Sequence, residues 1–251
     1  MRKAFHEELE RVAETLVEMT HLASSAMSRA TTALLDADIH LADSVIAADA
    51  EIDARRAELD LMSFDLLARQ QPVATDLRVI VTSMRMSSDI ERMGDLARHV
   101  AKVARLRYPA SAVPAELRAT ILQMGQVAER IVEKAGSVIA ARDVEAAHQI
   151  ERDDDAMDDL HRELFARVTD GSWSHGTEAA VDITLLGRYY ERFADHAVSV
   201  AHRVIWLVTG EFDPASEQSH EDAEDGANAL HCPSTGRAVM PSTLPPGRVR
   251  V

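Results

Sequence analysis

The chain has 251 residues, 46% apolar but only 4% aromatic, with 27% charged side chains and a formal net charge of −15. That length holds one or two domains with a sizeable core, and an apolar share dominated by Ala, Val, Leu, Ile and Met suits long amphipathic helices. A surface this acidic repels phosphate backbones, which excludes nucleic acid as a direct ligand, and a lone Cys232 excludes an internal disulfide or a thiolate zinc site.

Apolar residues recur at helical spacing from the start: Leu9, Val12, Leu16, Met19, Ala23, Ala26, Ala30 and Ala33. Asp36-Ala37-Asp38 supplies N-cap chemistry for a second helix to about Gln70, which Pro72 ends because the residue before proline avoids the helical region. A third helix is predicted from Thr75 or Asp76 to about Arg107. Pro109 and Pro114 bracket a linker. A fourth helix covers roughly Ala115 to Ala141, and Asp143 caps a fifth to about Val168. Thr177 is positioned to cap a sixth that ends at Thr209, with Gly210 as its C′ residue. Residues 211–251 lose the periodicity, carry acids, Ser and Pro, and are expected to be a disordered tail. In it the run Glu221, Asp222, Glu224 and Asp225 is read as solvated. No leader-like apolar stretch follows Met1-Arg2-Lys3, and none approaches the ~18 residues of a spanning helix, so a cytoplasmic protein is expected.

The pattern repeats. Glu91-Arg92-Met93-Gly94-Asp95-Leu96-Ala97-Arg98-His99-Val100-Ala101 aligns with Glu191-Arg192-Phe193-Ala194-Asp195-His196-Ala197-Val198-Ser199-Val200-Ala201, identical at six of eleven positions. Upstream, Asp49 and Asp53 followed by Glu58-Leu59 echo Asp154 and Asp158 followed by Glu163-Leu164. The organisation expected is all-α: a first three-helix repeat over 1–107, a linker at 108–114, a second repeat over 115–210, and the tail.

Residues four apart on a helix differ by about 40° in azimuth, so each acid pair shares one face. Glu91 and Asp95 continue the line of Leu77, Ile80 and Met84. Glu191 and Asp195 share a face with Val198, His202 and Ile205. Acids in an apolar stripe are costly if charged and unpaired, and adjacent like charges repel; a bound cation resolves both. Antiparallel second and third helices would gather four carboxylates per half, a donor set for Mg²⁺, Mn²⁺, Fe or Zn²⁺. The alternative is that the pairs are solvated or met by Arg92, Arg188 and Arg192. His99, His196 and His202 are read as surface or satisfied histidines, Met84, Met86 and Met93 as core, and Trp206 as a packing anchor.

Arg69-Gln70-Gln71-Pro72-Val73-Ala74-Thr75-Asp76-Leu77-Arg78, then Asp89-Ile90-Glu91-Arg92-Met93-Gly94-Asp95, then Tyr190-Glu191-Arg192-Phe193-Ala194-Asp195-His196-Ala197 resemble the PhoU family of phosphate-specific transport system accessory proteins, in particular its actinobacterial members. The likeness covers nearly all of residues 1–210. It implies two tandem pseudo-symmetric three-helix bundles whose acidic motifs hold multinuclear metal clusters; the matching positions are Asp49, Asp53, Glu91 and Asp95, and Asp154, Asp158, Glu191 and Asp195. It implies a negative regulator of phosphate uptake and of the phosphate-starvation response. Its partners would be the ATPase subunit of the phosphate ABC transporter and a sensor histidine kinase, with membrane association only through them, and homodimers are common. The second half lacks the Gln-Pro…Asp-Leu-Arg entry and carries the Trp173 turn instead.

Two other functions compete with this metal-binding adaptor. A carboxylate-bridged di-metal enzyme of the ferritin-like kind would use Glu18-x-x-His21 and Glu145-x-x-His148, which fall at non-equivalent positions. A plain helical scaffold would use the acid pairs in salt bridges alone. The chain shows no nucleophile–base constellation, Gly-rich phosphate loop or G-x-S-x-G, in keeping with a protein that is not an enzyme.

Overall fold

A computed structural model describes residues 2–211. Cys232, the acidic run 221–225 and the expected tail beyond Glu211 lie outside the described residues. Within them are six long helices and no strand: α1 Arg2–Asp36, α2 Ile39–Gln70, α3 Thr75–Arg107, α4 Arg118–Ala141, α5 Val144–Thr169 and α6 Gly176–Thr209, with a 3₁₀ turn Ala115–Leu117 leading into α4. Local chemistry sets most boundaries. Asp38 and Asp143 are N-caps whose carboxylates accept from the backbone N–H of Leu41 (and His40) and of Ala146. Gly210 closes α6 in the left-handed conformation at φ 74°. Thr177 is not a cap: α6 begins one residue earlier, His175 stands at its N-cap position, and no side chain caps it. Trp173 instead fixes the entry, donating its indole N–H to Gly176 O at 2.9 Å.

Each trio packs pairwise, α1 with α2 and α3, then α4 with α5 and α6, and the trios meet where α1 lies on α4 and α3 on α6. One continuous core runs through both, from Leu16 and Met19 through Ile80 and Met93 to Tyr190 and Phe193. Met86 and Met93 are buried in it as expected, whereas Leu77 is 41% exposed at the mouth of α3 and does not continue the apolar line.

The α1–α4 seam shows the duplication in its geometry. Asp36 and Ala141 end their helices, and Ile39 and Val144 begin the next, 105 residues apart. The same offset maps Thr20 onto Gly125 and Thr31 onto Gly136. In space, Gly125 lies against Thr31 and Gly136 against Thr20, so one contact occurs twice about a pseudo-two-fold axis. Small residues there let the helix backbones approach closely. The Thr31 hydroxyl donates to Met27 O at 2.8 Å and stands 2.8 Å from the buried Tyr190 hydroxyl of α6, whose proton it accepts.

A methyl added at Gly125 would lie 2.7 Å from both Oγ1 and Cγ2 of Thr31 and 3.1 Å from its Cβ. Ala normally stabilises a helix relative to Gly by about 1 kcal/mol. Here the short, hydrogen-bonded Thr31 has nowhere to go, and overpacking wins. Gly125→Ala is expected to lower stability by about 1–2 kcal/mol in chemical denaturation, while Gly171→Ala, with nothing within 4 Å, leaves it unchanged.

Candidate functional site

Acidic side chains collect at two seams, α2–α3 and α5–α6. In the first, Asp49 is 5% exposed and Asp53 exposed on α2, while Glu91 and Asp95 of α3 are half-buried. Arginines stand among them. Arg98 bridges the helices: its Nη1 lies 2.7 Å from Asp49 Oδ2 and its Nη2 pairs with Asp95 Oδ1. Arg56 Nη1 is 3.1 Å from Glu91 Oε2, and Arg92 reaches Asp95 at 3.2 Å. Burial raises the Asp49 carboxyl above its ordinary range, as do Asp53, Asp95 and Glu91; Arg98 opposes them.

The second seam has the same acids and fewer cations. Asp154 and Asp158 come from α5, Glu191 and Asp195 from α6; Asp158 is exposed and the other three half-buried. Arg188 grips Glu191, Nη1 lying 2.6 and 2.5 Å from its two carboxylate oxygens. Burial holds Asp195 up to about 6, reinforced by Glu191 and opposed by Arg188, His196 and Arg192. Asp154 is pushed up to about 7 by burial and then by Asp195, Asp158, Glu191 and Asp155. Its Oδ1 is buried without a hydrogen-bond partner. His161 lies beside this group; burial and Arg188 press its imidazole below its usual range, so it is neutral at pH 7. As the side chains stand, no group of three or more His, Cys, Asp or Glu among the described residues is arranged to hold a metal ion.

The sequence did not flag a second set of polar contacts, which joins the halves along the antiparallel α3–α6 pair. Buried Asp89 accepts from Arg203 Nε at 2.7 Å and lies 3.4 Å from Nδ1 of buried His196. Its carboxyl sits below the ordinary range because His196 and Arg203 outweigh burial. Arg107 grips buried Asp182 through Nε at 2.5 Å and Nη2 at 3.0 Å, and also pairs with Glu178. His99 stacks on Tyr189, and His202 faces Glu151 at 3.2 Å. Asp89 takes Arg203, a residue 114 positions away, rather than the adjacent Arg92. Glu18, His21, Glu145 and His148 are all exposed; Glu18 faces Arg55, and His148 lies 3.8 Å from Glu151.

Comparison with known proteins agrees with this duplicated architecture. The PhoU domain matches twice, over residues 16–104 and 121–204. The chain belongs to the PhoU family. It is 52% identical over 212 residues to phosphate-specific transport system accessory protein PhoU homolog 2 of Mycobacterium tuberculosis, covering 84% of this chain and all of that one. It is 47% identical to PhoU homolog 1 of the same organism over 84% of this chain and 95% of that one. PhoU from Pseudomonas aeruginosa shares the fold with a TM-score of 0.72 at 30% identity, covering 82% of this chain and all of that one. The regulatory protein PhoU from Streptococcus pneumoniae has a TM-score of 0.75 at 24% identity over 83% and 99%.

The two PhoU repeats differ where it matters. Arg98 aligns with Val198, and Arg56, by the offset that carries Asp49 to Asp154, aligns with His161. The first repeat carries two seam arginines where the second has a hydrocarbon and an imidazole, and the second in turn has Arg188 where the first has Ser88.

Asp154 supplies a pH test. In the folded protein it holds its proton to about 7, against an ordinary 3.8. The folded state therefore binds the extra proton between those values, and stability from this group falls as pH rises from about 4 to about 7 and is level above that. Asp154→Asn removes that fall. In chelator-treated protein the variant is expected to match the parent at pH 4 and to exceed it by about 1–3 kcal/mol at pH 8 in urea denaturation.

Proposed function

We propose that this chain is a cytoplasmic accessory regulator of phosphate uptake. When phosphate is plentiful it restrains the phosphate ABC transporter through that transporter's ATPase subunit and holds a phosphate-responsive sensor histidine kinase in its inhibitory state. The observation that carries this reading is the match to a mycobacterial phosphate transport accessory protein over that relative's entire length at 52% identity. No helix among the described residues is long and apolar enough to cross a membrane, so contact with the membrane would come through those partners. The protein acts without catalysing a reaction, as an adaptor whose affinity differs between two states of its partners. A homodimer is its proposed assembly.

The metal reading is narrower than eight equivalent ligands. Asp154, Asp158, Glu191 and Asp195, with the neutral nitrogen of His161 beside them, would hold a hard or intermediate cation such as Mg²⁺, Mn²⁺, Fe or Zn²⁺. The support is chemical: Asp154 Oδ1 is buried without a partner in a field of carboxylates. A bound cation would supply the charge that this field lacks and fix α5 against α6. Asp49, Asp53, Glu91 and Asp95 would take a cation only after Arg98 left the space between Asp49 and Asp95.

Deletion of the gene, together with any paralogue, is expected to switch on phosphate-starvation genes in phosphate-rich medium; unchanged repression would refute the regulatory role. Elemental analysis of dialysed protein tests the metal reading. One equivalent is expected in the parent, none in Glu191→Ala/Asp195→Ala, and a second in Arg98→Val, which gives the first repeat the residue found in the second. Equal loss from both repeats, or no metal in any of the three proteins, would rule out the asymmetric site.

A further inference from the structure

The N-terminal half of α1, the start of α3 and the end of α4 enclose an open groove of about 870 Å³, away from both acidic seams. Its floor is apolar: Leu9, Ala13 and Val17 of α1, Val79 of α3 and Ile139 of α4. Its rim is acidic. Glu10, Glu14 and Glu18 stand on successive turns of α1, and Asp76 faces them from the first turn of α3. Arg142 and His6 are also on the wall, so four carboxylates and one arginine line the groove, with Arg55 reaching Glu18 from outside it. Like charges four residues apart repel along their own helix. Glu18 has Arg55 only at 3.8 Å, and Glu10 and Glu14 make no ion pair among the described residues.

The duplication shows that this row is no by-product of the repeat. The offset of 105 carries Glu10, Glu14 and Glu18 onto Ala115, Ala119 and Gln123, while the core residues Leu16 and Met19 fall on Ile121 and Met124. The core was copied and the acids were not. α1 also has 35 residues to the 24 of α4, so its first eleven overhang any counterpart and build a wall that the second repeat lacks.

We propose that this groove docks a basic amphipathic helix of a partner protein. From His6 to Glu18 the wall runs about 18 Å, the length of a twelve-residue helix. An apolar stripe at i, i+3, i+4 and i+7 would lie on the floor, and lysines or arginines flanking it would reach Glu10, Glu14 and Asp76. The described residues carry no strand, and so offer no sheet edge for an extended peptide. The sign of the rim opposes acidic peptides and anionic lipid, and the chain's net charge of −15 steers a basic partner toward it. The proposal holds whether or not the protein regulates phosphate uptake.

The test uses the full chain and two sixteen-residue helical peptides with one leucine pattern, flanked by lysine in one and glutamate in the other. Calorimetry should give micromolar binding of the lysine peptide and at least tenfold weaker binding of the glutamate peptide. Glu10→Lys/Glu14→Lys and the floor-filling Ala13→Gln should each weaken the lysine peptide at least tenfold with helicity unchanged by circular dichroism. The control Glu129→Lys/Glu133→Lys, which moves the same charge elsewhere, should leave binding within twofold. Equal losses in control and groove variants, or no difference between peptides, would reduce the effect to net charge and overturn the proposal. Sedimentation showing a dimer that Glu10→Lys/Glu14→Lys dissolves would assign the groove to a second copy and overturn it as well.

Discussion

A carboxylate between two packed helices costs several kcal/mol unless something positive meets it, because the seam withholds water while leaving the charge in place. Each half of this protein sets three such groups at the junction of its second and third helices, with a fourth exposed beside them, so each half needs a solution. The first solves it within the chain: Arg98 crosses from α3 to Asp49 on α2 while also holding Asp95. That guanidinium ties the helices together whatever the solution contains. The second has Val198 at the corresponding position, and its Asp154 lies among acids with a buried Oδ1 that has no hydrogen-bond partner among the described residues; in the first seam the buried Glu91 Oε2 also lacks a hydrogen bond but has Arg56 3.1 Å away. The first seam thus sets three arginines against its four acids, and the second sets Arg188 and Arg192 against the same number.

The remaining structure keeps this difference from relaxing. A single core spans both trios, and the α3–α6 pair is pinned at several depths: Arg107 on Asp182 at one end, Asp89 on Arg203 and His196 nearer the other. These buried pairs break the repeat symmetry, since Asp89 aligns with Tyr189 and Arg203 with Val103. Removing one partner would strand a buried charge, so the pairs set the register of α3 on α6 more firmly than apolar contacts would.

Most of the fold was legible because its signals are local. Asp38 and Asp143 cap, Pro72 breaks, Gly210 terminates, and the Glu-x-x-x-Asp echo shows that the second trio copies the first. What escaped was decided by distance. Thr177 has the right chemistry for a cap, but the Trp173 turn starts the helix one residue before it. Leu77 has the right spacing for the core, but it lies at the open end of α3, where nothing covers it. The acid pairs could be placed on helix faces from their spacing, whereas the partner of Asp89 could not, because Arg203 is 114 residues away and the nearer Arg92 suits it equally well on paper. The neutralising role of Arg98 was visible in principle: it is one of five positions at which the eleven-residue echo fails, and the only one of those that exchanges a cation for a hydrocarbon.

Departures from the repeat are therefore where this protein's specific properties lie. Positions that both halves share, such as Thr20–Gly136 and Thr31–Gly125, are packing solutions that any copy of the unit requires. Positions that differ have been released from that requirement. The α1 overhang and the row of glutamates that runs from it into the body of the helix have no counterpart in the second half, and the row weakens the helix that bears it. The Pro72 corner, absent from the second half, delivers Asp76 to the opposite side of the same groove, at the cost of holding Ala74 at φ 48°, where a side chain is disfavoured. Two departures from symmetry, each unfavourable by itself, converge on one surface. A fold selected for stability alone would have removed both, and their convergence is what favours the groove of the first repeat as the docking surface proposed above.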